Sequence, residues 1–275
     1  MRESIRGRWA ALLFGLVSGL VPGLVPALAC ALMPGTAAAQ TLTVSAASSL
    51  TDAIKELGAR FEQERPGVKL RLNFGASGLL VQQIIQGAPV DVFLSADEES
   101  VERGIVQKVL DPASRRHFAS NSLVMIVPAT GATPGATTAA APATLAELAA
   151  PAVRRIGVGK PASVPAGRYT RQALEAASLW DVLEPKFVYA DNVRQILDYV
   201  ARGEVEAGFV YRTDALLQPA AVRVALVMSG HRAVRYPAVV VADSRQRALA
   251  AEFVDYLFSP MAQAVFARHG YGRPS

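Results

Sequence analysis

The sequence predicts an α/β fold of two lobes, each a mostly parallel sheet flanked by helices, with strands forming a hinge. Strand, turn and helix alternate along residues 41–94, and the same alternation returns along residues 155–211. This alternation is typical of βαβ units in parallel sheets. Between the two stretches, residues 129–143 are too small to pack a core and are expected to form a surface loop. A late strand, 236–242, is apolar throughout and is expected to cross between the lobes.

The composition is that of a globular chain with a mild positive charge. The 275 residues are 51% hydrophobic and 19% charged, with a formal net charge of +5. A chain of this length and composition can bury a sizeable core. Lysine and arginine do not form runs interleaved with aromatic residues, so no nucleic-acid partner is expected.

The first 39 residues have the layout of a signal peptide. Three arginines precede an apolar stretch, residues 9–33, and small residues follow up to Ala39. Cleavage is predicted after Ala39, which would place the mature chain in the periplasm. A retained membrane anchor is the alternative, since the apolar stretch is long enough to span a bilayer, but its prolines argue against it. Cys30, the only cysteine, lies in this segment; its lipidation stays open, because the leucine before it is misplaced for a lipobox.

The first half of the mature chain is predicted to alternate strands with helices. Apolar positions recur at helical spacing from Leu50 to Glu64, and Pro66 ends that helix. The predicted strands are 41–47, 68–74 and 90–94, and the predicted helices are 50–64 and 79–86.

Two serines of this half stand where a helix is predicted to begin. Ser49 follows the first strand, and Ser77 lies in the Gly75–Gly78 turn ahead of the second helix. Amides at a helix start have no partner within the helix, and the helix dipole adds partial positive charge there, so such a turn favours an anion. The alternative is that each serine only caps its helix.

The second half repeats this logic with amides and a tyrosine. Pro165 is expected just ahead of a helix, so Ala166 would offer its N–H at that end. Asn192 is expected to cap a helix that begins at Val193, and Tyr211 follows a strand. Taken alone, Val193 is equally a core residue and Tyr211 a packing aromatic. The predicted strands are 122–128, 155–159, 187–189, 207–210 and 222–227, and the predicted helices are 145–148, 168–177, 193–201 and two that begin near 244 and at 260.

Several short segments together resemble the periplasmic molybdate-binding proteins of ABC importers. The resemblance extends over about residues 41–271 and depends on the order and spacing of the segments, since each alone is weak. That family has the type II periplasmic binding protein fold, in which two lobes linked by a strand hinge close over a tetrahedral oxyanion. The segments are Ala46–Ala53, Gly75–Gly78, Gly87–Asp97, Asn121–Val124 and Val164–Tyr169.

The resemblance implies a molybdate site built from both lobes. Ser49 and Ser77 would contribute hydroxyl and backbone N–H groups from the first lobe. Ala166 and Val193 would contribute backbone N–H groups from the second lobe. Tyr211 would add its phenolic hydroxyl.

The donor set suits a fully ionised oxyanion. Hydrogen bonds to charged groups contribute roughly 1.5 to 3 kcal/mol each, so neutral donors suffice for a dianion. The set contains no Asp or Glu, the acceptor that phosphate needs because it carries a proton near neutral pH. Many family members have Ala-Ser where this chain has Ser48-Ser49, so either hydroxyl could face the ligand; Ser49 is favoured because it directly precedes the helix.

The resemblance also implies a role in transport. The chain is expected to capture molybdate, and tungstate as well, and to deliver it to the permease subunits of an ABC importer. No cofactor or covalent chemistry is implied, and a monomer is expected. The lobes are predicted as residues 40–121 plus 235–275 and residues 122–234.

Other functions are weighed against this one. A receptor of the same fold for sulfate or another oxyanion is the main alternative, because it too uses neutral donors and cavity size is not legible from sequence. An iron-binding relative would need two or more tyrosines near the hinge. A serine hydrolase is less favoured, because Leu79 stands where the Gly-x-Ser-x-Gly motif has its last glycine. His117, His231 and His269 are far apart and lack metal-ligand spacing.

Overall fold

The computed structural model of this chain describes residues 40–129 and 141–274, whose strands form two five-stranded sheets. The predicted signal peptide, residues 1–39, and most of the predicted surface loop, residues 129–143, lie outside the described residues. Within the described part of the chain, no helix is long and apolar enough to cross a membrane.

The first sheet has parallel strands on one side and antiparallel strands on the other. Its strand order is β2-β1-β3-β10-β4, from the strands β1 (Gln40–Ala47), β2 (Val68–Gly75), β3 (Val92–Leu94), β4 (Arg116–Asn121) and β10 (Val234–Val240). β1 pairs in parallel with β2 and β3, whereas β10 runs antiparallel to β3 and β4.

The second sheet repeats this arrangement. Its order is β7-β6-β8-β5-β9, from β5 (Leu123–Pro128), β6 (Ile156–Gly159), β7 (Phe187–Ala190), β8 (Ala207–Tyr211) and β9 (Val222–Val227). β6 pairs in parallel with β7 and β8, whereas β5 runs antiparallel to β8 and β9. The predicted α/β class with a sheet in each half is therefore confirmed.

An antiparallel ribbon runs through both sheets. β4 pairs with β10 in the first sheet, and β5 pairs with β9 in the second. The chain passes between the sheets at Ser122 and again along residues 228–233. The strand expected to cross, 236–242, instead pairs with β3 and β4 within the first sheet, so the crossing occurs just ahead of it.

Helices follow the parallel strands, as βαβ units require. Val193–Ala201 has the predicted bounds, whereas the helix predicted from residue 168 begins earlier, because Pro165 supplies the backbone angle of a first helical residue. The helices are α1 (Thr51–Glu64), α2 (Ser77–Ile85), α3 (Glu98–Val106), α4 (Pro165–Ala176), α5 (Trp180–Leu183), α6 (Val193–Ala201), α7 (Arg212–Ala215), α8 (Arg247–Tyr256) and α9 (Pro260–Arg268).

The first sheet is buried on both faces at its central strand β3. Val92 and Leu94 of β3 point into a core that extends through both sheets, while Phe93 between them points into a second apolar cluster. Because β3 is covered on both faces, only the strand ends at the centre of the sheet are left for contact with a ligand. Ligands of such sheets bind outside the carboxyl ends of the parallel strands.

Candidate functional site

A small cavity lies between the helix starts that follow the parallel strands of the two sheets. Its lining includes all the residues that were predicted to bind the ligand: Ser49, Ser77, Ala166, Val193 and Tyr211. Ser48 lines it as well. The structure thus brings the predicted residues together, and their contact with a ligand stays a prediction.

Ser77 is the first residue of α2 and is completely buried. Its Oγ accepts a hydrogen bond from the amide of Ala96 at 3.0 Å. Because the oxygen is already an acceptor there, the hydroxyl hydrogen is free to be donated elsewhere. Ser77 is therefore placed as a hydrogen-bond donor at the cavity wall.

Ser49 lies in a turn of 3₁₀-helix, Ser48–Leu50, that leads from β1 into α1. Its Oγ lies 3.2 Å from the hydroxyl of Tyr236 on β10. Its carbonyl oxygen accepts from the Tyr271 hydroxyl at 2.6 Å and from the Arg194 guanidinium at 3.0 Å. Ser49 is thus held at both its side chain and its backbone.

The second sheet contributes helix-start amides. At α6, the Asn192 carboxamide accepts from the amides of Arg194 and Gln195 at 3.0 and 3.1 Å. The side chain thereby satisfies the second and third amides of the helix and leaves the first, that of Val193, for another acceptor. Ala166 is the second residue of α4, after a proline that has no N–H. Both amides carry the partial positive charge of a helix start.

Tyr211 ends β8 and is almost completely buried. Among the described residues, no hydrogen-bond partner reaches its hydroxyl. Burial, reinforced by the neighbouring Tyr236 and Tyr169, raises the pKa of Tyr211 well above its ordinary value. The phenol therefore keeps its proton and is available as a neutral donor.

Charged side chains beside the cavity form pairs between the two halves of the protein. Arg168 of α4 donates to the Asp97 carboxylate at 2.7 Å and to the Ser100 hydroxyl at 2.8 Å, and all three are buried. Arg194 of α6 lies 2.9 Å from the Asp52 carboxylate of α1. Both arginines belong to the second sheet's helices and contact residues that follow strands of the first sheet, so they join the two halves.

Asp214 is a buried carboxylate behind the cavity. It lies 2.8 Å from Arg194 and accepts the Tyr211 amide at 3.2 Å. Burial outweighs these two attractions and raises the pKa of Asp214 to about 6. Its role is to hold Arg194 and the backbone of Tyr211, since it is not among the residues lining the cavity.

The contacts of Ser77 and the histidines do not form a catalytic triad. Ser77 Oγ accepts from an amide, and the histidines contact other groups: His117 the Glu98 carboxylate, His269 that of Glu56 and His231 the carbonyl of Arg232. In residues 40–129 and 141–274, no group of His, Cys, Asp or Glu could hold a metal ion.

Residues that support the site were missed by reading the sequence. Tyr236 and Tyr271 contact Ser49 from 187 and 222 residues away along the chain. Such contacts leave no periodic or spacing signal. Asn121 and Arg168 do lie in segments that carry the family resemblance, and that position was the one signal for them.

Comparisons with known proteins identify the family to which this chain is similar. The model of the family described as bacterial extracellular solute-binding protein matches residues 42–272. The molybdate-binding protein ModA of Escherichia coli (strain K12) is 36% identical over 231 residues, which are 84% of this chain and 88% of that protein. A provisionally named ABC transporter substrate-binding lipoprotein, YvgL of Bacillus subtilis (strain 168), is 37% identical over 235 residues, 84% of this chain and 86% of that one.

A solved structure supports the same relationship. The periplasmic molybdate-binding protein of Azotobacter vinelandii superimposes with a TM-score of 0.72 at 27% identity, covering 85% of this chain and 100% of that one. The matched proteins are solute-binding proteins rather than enzymes.

Proposed function

This chain belongs to the family of bacterial extracellular solute-binding proteins, and we propose that it captures molybdate in the cavity between its two sheets for an ABC importer. The buried Tyr211 hydroxyl carries the proposal. Among the described residues it has no partner, and it belongs to a cavity that Ser49 and Ser77 also line. An acceptor bound there would satisfy it, because a buried hydroxyl without a partner costs free energy.

The donors around the cavity favour an anion over a neutral solute. Three residues with hydroxyls and two helix-start residues line it, while Arg168 and Arg194 are already paired with carboxylates. Hydrogen bonds to a charged acceptor contribute roughly 1.5 to 3 kcal/mol each. Several such bonds bind a dianion without a free cation in the site.

The lining disfavours a protonated anion. It contains no Asp or Glu, so a ligand hydrogen would meet hydroxyl and amide hydrogens instead of an acceptor. Phosphate carries such a hydrogen near neutral pH, whereas molybdate, tungstate and sulfate are fully ionised. The names of the relatives support molybdate among these, and tungstate is included because it has the same shape and charge.

Two lobes, residues 40–121 plus 235–275 and residues 122–234, would close on the anion. The pairing of Arg168 with Asp97 and the bond from the Gly78 amide to the Ser163 carbonyl at 3.0 Å join these halves beside the cavity. The closed form is the signal that the permease subunits would read. The mature receptor is proposed to be a periplasmic monomer, produced by cleavage of the signal peptide after Ala39.

Calorimetric titration of the mature chain with molybdate, tungstate, sulfate and phosphate tests the function. Molybdate and tungstate are expected to bind tightly, sulfate weakly and phosphate more weakly still. Tight binding of sulfate with no response to molybdate would make the chain a sulfate receptor and overturn the proposal.

A further inference from the structure

We propose that Tyr236 is a specificity-determining residue, which commits the Ser49 hydroxyl hydrogen to the bound anion and so makes the site reject protonated oxyanions. Tyr236 does not line the cavity and acts through Ser49. The inference rests on the proposed function, because it concerns how that site selects its ligand.

Asn121, the last residue of β4, fixes which groups donate and which accept in this series of hydrogen bonds. Its Oδ1 accepts the Ser122 amide at 2.9 Å, which fixes the orientation of the carboxamide. Its Nδ2 therefore faces the Tyr236 hydroxyl at 3.1 Å and the Thr213 hydroxyl at 2.9 Å. An amide nitrogen only donates, so the Tyr236 oxygen accepts.

Tyr236 then donates its own hydrogen bond to the Ser49 hydroxyl. The phenol has one hydrogen, and Ser49 Oγ lies 3.2 Å away as its other contact within the described residues. Tyr236 is completely buried, and burial raises its pKa above the ordinary value, so the phenol stays protonated. With an incoming hydrogen bond from Tyr236, the Ser49 hydroxyl directs its own hydrogen into the cavity.

Ser77 is constrained in the same sense. Its Oγ accepts from the Ala96 amide at 3.0 Å, so its hydrogen is also free for a ligand. Of the three hydroxyls, that of Tyr211 alone has no partner among the described residues to fix its orientation. A ligand hydrogen that faces Ser49 or Ser77 therefore meets a donor, which loses one hydrogen bond and adds a repulsive contact.

Removal of the Tyr236 hydroxyl frees Ser49 to rotate. In Tyr236→Phe, the described residues leave Ser49 Oγ without its donor, so this hydroxyl can accept a hydrogen bond from the ligand. We expect molybdate affinity to fall about 10-fold and phosphate affinity to hold or rise, so the ratio of the two falls at least about 10-fold. Calorimetry at neutral pH, with phosphate measured by competition against molybdate, gives both constants.

Tyr271→Phe is the matched control. It removes another buried phenol that contacts Ser49, but at the carbonyl oxygen rather than the hydroxyl. Affinities for molybdate and phosphate are expected to fall together, with their ratio unchanged. If Tyr236→Phe behaves in the same way as Tyr271→Phe, Tyr236 only supports the fold and the inference is wrong.

A second variant covers the case in which Tyr236→Phe does not fold. Asn121→Asp turns the donor behind Tyr236 into an acceptor, draws the phenolic hydrogen away from Ser49 and is expected to lower the same ratio. An unchanged ratio in a folded Asn121→Asp protein contradicts the inference. Sulfate against phosphate is measured in parallel, so that failure of the molybdate assignment and failure of the Tyr236 role give different results.

Discussion

At the scale of single residues, Tyr211 and Tyr256 are two buried tyrosines whose hydroxyls lack a partner among the described residues. Tyr211 lines the cavity between the sheets, whereas Tyr256 packs on Phe61 with ring centroids 5.1 Å apart. Burying a hydroxyl without a partner costs free energy in both places. Only at Tyr211 could a bound ligand supply the missing hydrogen bond and offset this free-energy cost.

Tyr211→Phe is therefore expected to weaken molybdate binding by about 1 to 3 kcal/mol. Without molybdate, its free energy of unfolding should be unchanged or higher, because phenylalanine buries no polar atom. Calorimetry and urea unfolding measure the two quantities. Tyr256→Phe is the control, with the same stability trend and no loss of affinity; an unchanged affinity in Tyr211→Phe would remove Tyr211 from the site.

Asp214 makes stability depend on pH. Its pKa is raised to about 6 by burial, whereas an unfolded aspartate ionises near ~3.9. Between these values the unfolded chain has released a proton that the folded chain retains. The stabilisation from Asp214 is thus fully present below the unfolded pKa and is lost as the pH rises through about 6.

The prediction is tested with Asp214→Asn, which cannot titrate. The unfolding free energy of the wild type, relative to this variant, should decrease from about pH 4 to about pH 6 and then level off. Urea unfolding of both proteins across this range gives the difference. A difference that grows with pH would mean that Arg194 lowers the pKa of Asp214 instead.

The helix-start donors were readable from the sequence because capping and proline signals are local. Ser49, Ser77 and Val193 stand beside such signals, and they line the same cavity. The bonds that orient Ser49 were not readable, since Tyr236 is 187 residues away. Local chemistry was therefore predictable, whereas the hydrogen-bond directions required the fold.

At the scale of elements, the start of α2 touches the loop that leads into α4. The Gly78 amide donates to the Ser163 carbonyl, and a Cβ at residue 78 would lie 2.6 Å from that oxygen. The obstacle is backbone and cannot move aside as a side chain would. Only glycine at residue 78 lets these two elements approach so closely.

Gly78→Ala should therefore hinder closure while each half still folds. Molybdate affinity is expected to fall at least about 10-fold, because less of the protein occupies the binding-competent form. Gly58→Ala in α1 is the control. Its Cβ would meet side-chain atoms of Leu70 and Leu72 on β2, which can move aside. Calorimetry measures the molybdate affinity of both variants. If Gly78→Ala and Gly58→Ala both bind molybdate as tightly as the wild type, the Gly78 contact does not govern binding.

Elements with strong periodicity were predicted well, and weakly patterned ones were missed. No helix or strand is predicted for residues 98–121, where the structure has α3 and β4. In α3 only Ser100, Val101 and Gly104 are buried, so its apolar pattern is thin. β4 is a mostly polar segment that becomes a strand by pairing with β10, far along the chain.

At the scale of the whole molecule, two mixed sheets share one antiparallel ribbon, and the proposed ligand would bind where their helix starts meet. Arg168 and Arg194 pair with carboxylates from the opposite half. These pairs hold the two halves in the arrangement that brings the lining residues together, because both arginines lie on helices whose first residues line the cavity.

The central claim is that molybdate binds between the two sheets. It is tested most directly by the anomalous difference density of molybdenum in crystals of the mature protein grown with molybdate. The account predicts one strong peak in the cavity, with oxygens within hydrogen-bond distance of the Ser49, Ser77 and Tyr211 hydroxyls and the Ala166 and Val193 amides. A peak elsewhere on the protein, or a molybdenum atom that leaves the Tyr211 hydroxyl without a contact, would contradict it.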